Sequence, residues 1–185
     1  MSIELEKLNT NLKKYIAIIP NVLSTEFCKL AVEKKRKWYT AKVGNNVYDP
    51  DMRNCSVAHV DAEEDKIFYN AVAKVYEIYS NNFMNLTSSQ NLGESVTDTG
   101  YEILRYKKNE FYKCHTDDSK SDPRRLALSF ILNEDFCGGE FQFFSSHKVA
   151  PKIGEALVFP ANFTYPHEVL EITQGTRHAM ITWIY

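Results

Sequence analysis

The chain has 185 residues, 44% of them apolar and 13% aromatic, with a formal net charge of -2. That length suits one well-buried core and is short for two full domains, and the near-cancelling charge leaves no basic field to dominate nucleic-acid binding. No span approaches membrane-crossing length, the N-terminus lacks the apolar region of a signal peptide, and four scattered cysteines without a CxxC pair exclude a zinc ribbon. Free thiols in a reducing cytoplasm are the expectation for Cys28, Cys55, Cys114 and Cys137, with Cys114 read as a buried thiol.

In chain order, "YIAIIPNVLS" reads as an apolar strand ended at Pro20. Ser24 then caps a helix whose Phe27, Leu30 and Ala31 recur at helical spacing. The run Lys34-Lys35-Arg36-Lys37 reads as a solvated helix face. "WYTAKVGNNVYDPDMRNCSVAHV" gives two short extended pieces around Gly-Asn-Asn and Asp-Pro-Asp breakers, a connection long enough to serve as a mobile loop. From Ala62 to about Phe83, Ile67, Phe68, Ala71, Val75, Ile78 and Tyr79 recur three or four apart, which predicts an amphipathic helix.

After "NLTSSQNLGESVTDTG" the pattern changes to short apolar or alternating runs. These are Tyr101–Tyr106, Leu126–Leu132, Glu140–Phe144, Ala156–Phe159, Glu168–Ile172 and Arg177–Tyr185, separated by glycines and prolines. Strands of this length and spacing predict a double-sheet β core rather than βαβ units. The Gly138-Gly139 pair reads as a turn feeding the Glu140–Phe144 strand, and His147 as an exposed turn residue. The expected architecture is α+β, mainly β, over one domain, 1–185. A helical and mixed part, 1–98, packs on a core formed by 99–185.

Within that core, "FYKCHTDD" places His115 and Asp117 two residues apart. On an extended backbone such residues face the same way, so an imidazole and a carboxylate can converge on one cation while Thr116 and Asp118 point away. An HxD tripeptide alone is usually a polar turn at a strand end. Of the remaining histidines, His167 begins a run directly after "PANFTYP", and His115, Asp117 and His167 would make the two-histidine, one-carboxylate set suited to non-haem iron. Arg177, ten residues further on, would lie among apolar neighbours, and a buried guanidinium requires an anionic partner. Glu140, Glu155 or an anionic ligand are the choices.

The ordered motifs "GYEILRYKKNEFYKCHTDD", "RRLALSFILNEDFCGGEFQFF", "VAPKIGEALVFPANFTYPHEV" and "GTRHAMITWIY" together resemble the catalytic domain of the 2-oxoglutarate- and Fe(II)-dependent dioxygenases, in its prolyl 4-hydroxylase branch. The resemblance covers residues 99–185, with "RNCS" at Arg53–Ser56 as a fainter match upstream. It implies a double-stranded β-helix (jelly-roll) core with N-terminal helices on one sheet. It also implies His115, Asp117 and His167 as iron ligands, and Arg177 and Tyr106 as holders of 2-oxoglutarate. O2 is the oxidant and ascorbate a reductant, and the implied reaction hydroxylates prolyl residues of a peptide or protein with release of succinate and CO2. Arg53, Tyr112 and Trp38 are the expected substrate-cleft residues. Phe130 stands where some relatives carry a tyrosine, which would remove one hydroxyl from the co-substrate site. Hydroxylation of a free amino acid or other small molecule, and a non-catalytic β-sandwich holding zinc, are the alternatives.

Overall fold

The computed structural model describes residues 11–44, 47–83, 97–121 and 123–185. Asn45 and Asn46 of the expected mobile loop, and residues 85–96 of the connection before the β core, lie outside the described residues.

Two helices form where periodicity places them. Helix α1 (Thr25–Glu33) is capped by Ser24, whose hydroxyl accepts from the Phe27 amide at 3.1 Å. Its buried face is centred on Cys28 and Ala31, with Phe27 edge-on to Phe68 at 5.3 Å; Leu30, expected inside, points to solvent. Helix α2 (Ala62–Phe83) buries Phe68, Ala71, Val72, Val75 and Tyr79. It begins with a reciprocal cap: Asp61 Oδ1 accepts from the amides of Glu63 and Glu64, and Glu64 Oε2 accepts from the Asp61 amide.

The basic run is not a helix face. Helix α1 has ended at Glu33, and Arg36 turns inward to a bidentate pair with buried Glu64, with one arm at 2.8 Å. Lys34 pairs with Asp61. Both cations meet the carboxylates at the start of α2, so Arg36 and Lys34 tie the two helices together, while Lys34, Lys35 and Lys37 remain exposed to water.

The rest is two antiparallel sheets. The larger runs β1 (Ala17–Ile19), β11 (Ala156–Pro160), β7 (Leu126–Ile131), β13 (Ile172–Ile184), β5 (Glu102–Lys107), β4 (Ser56–His59), β2 (Tyr39–Thr40), with β8 (Phe136–Gly138) also on β13. The smaller runs β10 (His147–Val149), β9 (Phe141–Phe143), β12 (His167–Val169), β6 (Phe111–His115), β3 (Arg53–Asn54). One face of the large sheet meets the helices and the other meets the small sheet. Strand β7 is therefore buried on both sides: Leu126, Leu128 and Phe130 enter the helix-side core, while Ala127 and Ile131 enter the inter-sheet core. This double burial explains why "LALSFIL" reads as a continuous apolar run rather than an alternating one.

Three expectations at strand level need correction. Gly175 does not separate two strands. It sits at φ +75° within β13, paired with Phe136 of β8 just after a register shift between Ile172 and Gln174, so the strand bulges ahead of it and continues. His147 opens strand β10 and is half-buried. Cys114 faces away from His115, but to solvent, and so is not a buried thiol. No disulfide forms, and all four cysteines are free.

Candidate active site

Strands β6 and β12 are neighbours in the small sheet, and their register sets His115 directly opposite His167. Asp117 follows two residues after the end of β6 and turns back between them. Its Oδ1 lies 3.4 Å from His115 Nε2 and its Oδ2 3.6 Å from His167 Nε2. The three donor atoms lie within 4.8 Å of one another, the only such cluster among the described residues.

The backbone fixes how the rings present themselves. His115 Nδ1 lies 2.8 Å from the Lys113 carbonyl, and His167 Nδ1 lies 3.1 Å from that of Tyr165. A carbonyl only accepts, so each Nδ1 must carry the proton, leaving both Nε2 lone pairs aimed at Asp117. This is the outer support that orients metal-binding imidazoles. Burial lowers the pKa of His167 to about 4, with His115 adding to the effect and Asp117 opposing it. For Asp117, burial works to raise the pKa, but His167, His115 and a hydrogen bond from Trp183 together hold the carboxyl well below the usual range. His167 is thus held unprotonated and Asp117 ionised near neutral pH, the forms that bind a metal, with His115 Nε2 presented beside them.

Behind this cluster a cavity runs between the sheets, with an empty volume of about 450 Å³ out to its mouth, suited to a small ligand. At its inner end, Arg177 of β13 and Tyr106 of β5 are cross-strand partners, both fully buried. The Arg177 guanidinium lies 5.1 Å from the Phe141 ring and 5.5 Å from that of Tyr106. Neither Glu140 nor Glu155 pairs with it: Glu155 accepts from the Lys152 amide, and Arg177 Nη2 has no hydrogen-bond partner. Burial pushes the Arg177 pKa down, as expected for a cation without a nearby carboxylate. Gly139 makes room for this side chain, since a Cβ there would stand 2.9 Å from Arg177 Cδ. The Gly-Gly pair read as a simple turn therefore also shapes the cavity.

The remaining expected residues divide. Tyr112 stacks on His115 with ring centroids 3.6 Å apart, and Arg53 lies over Tyr112 at 4.7 Å and donates to the Lys42 carbonyl at 2.9 Å. Both line the cavity and a wider groove outside it. Trp38, expected at the cleft, lies on the opposite face of the large sheet. It packs there against His178 at 6.0 Å, beneath the Arg105 guanidinium at 4.1 Å. Phe130 also faces the helix side, so the residue at that position takes no hydroxyl from the cavity. Its neighbour Ser129 lines the cavity instead, with a buried Oγ that has no partner. Sequence reasoning passed over Ser129, although a lone hydroxyl inside "LALSFIL" is the signal that could have found it. Trp183 of β13 lines both cavity and groove and touches Asp117.

Comparison with known proteins agrees with this geometry. Residues 101–185 match the profile of the 2OG-Fe(II) oxygenase superfamily. A PKHD-type hydroxylase of Idiomarina loihiensis is 36% identical over 89 residues, covering 44% of this chain and 40% of that protein. Prolyl 3-hydroxylase 2 of Mus musculus is 26% identical over 140 residues, covering 64% of this chain and 20% of that protein. The matched stretches thus span well under half the length of these curated relatives. Among solved structures, a prolyl hydroxylase of Trichoplax adhaerens, in complex with a hypoxia inducible factor oxygen degradation domain peptide fragment, superposes with a TM-score of 0.75. Identity is 20%, over 97% of this chain and 86% of that one. A Pseudomonas putida prolyl-4-hydroxylase gives a TM-score of 0.67 at 21% identity, covering 92% of each chain. At these identities the two structures speak to the fold, which is the jelly roll. Residues 101–185 are thus similar to the 2OG-Fe(II) oxygenase superfamily, whose chemistry uses Fe(II), 2-oxoglutarate and O2, and the fold is the one shared by the solved prolyl hydroxylases.

Proposed function

We propose that the chain, acting as one unit over 1–185, is a dioxygenase that hydroxylates prolyl residues in a peptide or protein, with release of succinate and CO2. The observation that carries this reading is Arg177, a buried guanidinium with an unpartnered Nη2 in a cavity whose other wall is the His115–Asp117–His167 cluster. A dicarboxylate with a 2-oxo acid end fits both requirements: its far carboxylate satisfies Arg177, and its near end reaches the metal. Tyr106, Arg177's cross-strand partner, and the Ser129 hydroxyl are the other polar groups at hand.

In this reading His115, Asp117 and His167 hold Fe(II), which, loaded with 2-oxoglutarate and O2, supplies the oxidising power for an unactivated C–H bond. The protein's own work is orientation and exclusion of water. Lys113 and Tyr165 carbonyls fix the imidazoles, Trp183 fixes Asp117, and Phe141, Phe159 and Leu104 keep the cavity dry. Arg53 and Tyr112 stand where cavity opens into groove and would meet the substrate. That groove, lined by the consecutive residues Tyr39–Gly44 on one wall and by Thr116–Ser119 on the other, favours an extended peptide over a free amino acid. Ascorbate as reductant and a cytoplasmic setting, consistent with four free thiols, complete the proposal.

Proline-containing peptides incubated with Fe(II), 2-oxoglutarate and air should gain 16 Da and yield succinate. Succinate formed only with a free amino acid or another small molecule would transfer the activity to that substrate class. Under anaerobic conditions Fe(II) plus 2-oxoglutarate should give a weak metal-to-ligand charge-transfer band. A zinc-holding module without turnover would show neither band nor product.

A further inference from the structure

The register of the large sheet arranges the floor of the cavity and groove in successive cross-strand rows. Arg177 pairs with Tyr106; Ala179 with Leu104 and Val57; Ile181 with Glu102 and His59. The first row is the buried end, and the last lies four residues along β5, about 13 Å away, on the floor of the open groove. Glu102 shares the face of Leu104 and Tyr106, because Ile103 between them enters the helix-side core.

The acidic groups lining the groove differ in their commitments. Asp117 belongs to the metal-binding cluster, and Asp118 accepts from the Arg124 amide at 3.0 Å. Glu102 alone makes no hydrogen bond or ion pair among the described residues, although His59 is its cross-strand neighbour. The cations at the groove engage rings rather than Glu102, with Arg53 on Tyr112, Arg124 on Trp183 at 3.8 Å and Lys37 on Tyr39 at 5.1 Å, while Lys42 is exposed. A half-buried carboxylate beside the apolar Val57, in a groove also lined by the Tyr39 and Trp183 rings, is suited to a side chain that is cationic at its tip and aliphatic along its stem.

We infer that Glu102 is a specificity-determining residue that selects peptide substrates carrying a lysine or arginine near the hydroxylated position. This rests on the proposed peptide hydroxylation and adds which peptides are taken. It assigns no chemistry to Glu102, which lies outside the cavity and holds neither metal nor co-substrate.

The test uses the full chain with Fe(II) and 2-oxoglutarate. The probes are decapeptides with one proline, in which lysine, glutamine or glutamate is swept through the four positions on either side. Product is read as a 16 Da gain. At one position or two adjacent ones, lysine should exceed glutamine in kcat/KM by about five-fold, the factor for a partly solvated ion pair of about 1 kcal/mol, and glutamate should fall below glutamine. In Glu102→Gln the three peptides should agree within about two-fold, and in Glu102→Lys the order should invert. Each result is a ratio between peptides within one variant, so a slower or less stable variant still gives an answer. Equal use of the three peptides by the wild type, or a lysine preference unchanged in both variants, overturns the inference while peptide hydroxylation stands. A wild type that modifies no peptide of the set overturns both.

Discussion

Arg177 carries opposing demands that a single substitution can separate. Its guanidinium is buried without a carboxylate, which costs the ligand-free protein stability, yet it is the charge an incoming dicarboxylate needs. Arg177→Met should therefore raise the melting temperature of the ligand-free chain, by the equivalent of about 1–3 kcal/mol. It should also weaken 2-oxoglutarate binding by roughly 10- to 100-fold, the value of hydrogen bonds to a charged group. Calorimetric titration of 2-oxoglutarate into the Fe(II)-loaded chain and thermal denaturation without ligand give the two readings. Loss of both stability and binding would show that Arg177 has a structural anion partner. Its candidacy was legible in the sequence, because an arginine in an apolar terminal strand demands an anion. Which anion was not, because Glu140, Glu155 and a ligand were all open choices and only the folded chain shows that neither glutamate reaches it. Ser129 and Trp38 depend on the fold in the same way: one drew no reading within its apolar run and lines the cavity, the other was expected at the cleft and packs behind the sheet.

Elements supply the second set of expectations. The turn into β9 places Gly139 at φ +72°, with a Cβ position 2.5 Å from Ile172 Cδ1 and 2.9 Å from Arg177 Cδ. Gly139→Ala should strain the backbone and push Arg177 into the cavity, costing about 1–3 kcal/mol of stability and raising KM for 2-oxoglutarate. A variant that loses stability with KM unchanged would limit Gly139 to a turn role. Between helices, Glu64 both completes the cap of α2 and pairs with buried Arg36. Glu64→Gln keeps an oxygen for the cap but leaves Arg36 without its charge partner, and should cost about 3 kcal/mol in chemical denaturation. Arg36→Met combined with Glu64→Met should cost less than the single change, because no charge remains stranded. Both helices were readable from their 3.6-residue period, and α2 has the predicted bounds. The role of the basic run was not, since a sequence window shows that Arg36 follows a helix but not that Glu64, 28 residues later, lies beside it.

At the scale of the whole molecule, the large sheet separates two environments, and His178 reports on the side opposite Arg177. It is packed against Trp38, and its pKa is lowered to about 4 by burial first and then by Arg105, with Asp135 opposing. The folded state therefore holds this imidazole neutral where the unfolded chain, with a pKa near 6.5, binds a proton. The unfolded state binds more protons between about pH 6.5 and 4, so this contribution is complete above about 6.5 and is lost as pH falls toward 4. It amounts to on the order of 2–3 kcal/mol. In metal-free protein, His178→Phe should flatten the fall in melting temperature between pH 7 and 4.5. An unchanged slope would shift the acid sensitivity to other groups.

The sequence by itself determined the helices, the β-rich second half and the chemical types of the site, because period, turn residues and ligand spacing are local properties of the chain. His115 and Asp117 needed only an extended backbone to face one way. Tertiary structure decided what lies across space: His167 opposite His115 through the β6–β12 register, Arg177 without a carboxylate, and Glu102 on the groove floor four residues along β5 from Tyr106. The physical reason is that strand pairing joins residues far apart in sequence, and a shift of one position turns every side chain to the opposite face. The donors were therefore nameable from the chain alone, while their convergence and the charge left unpaired beside them were settled by the register of the two sheets.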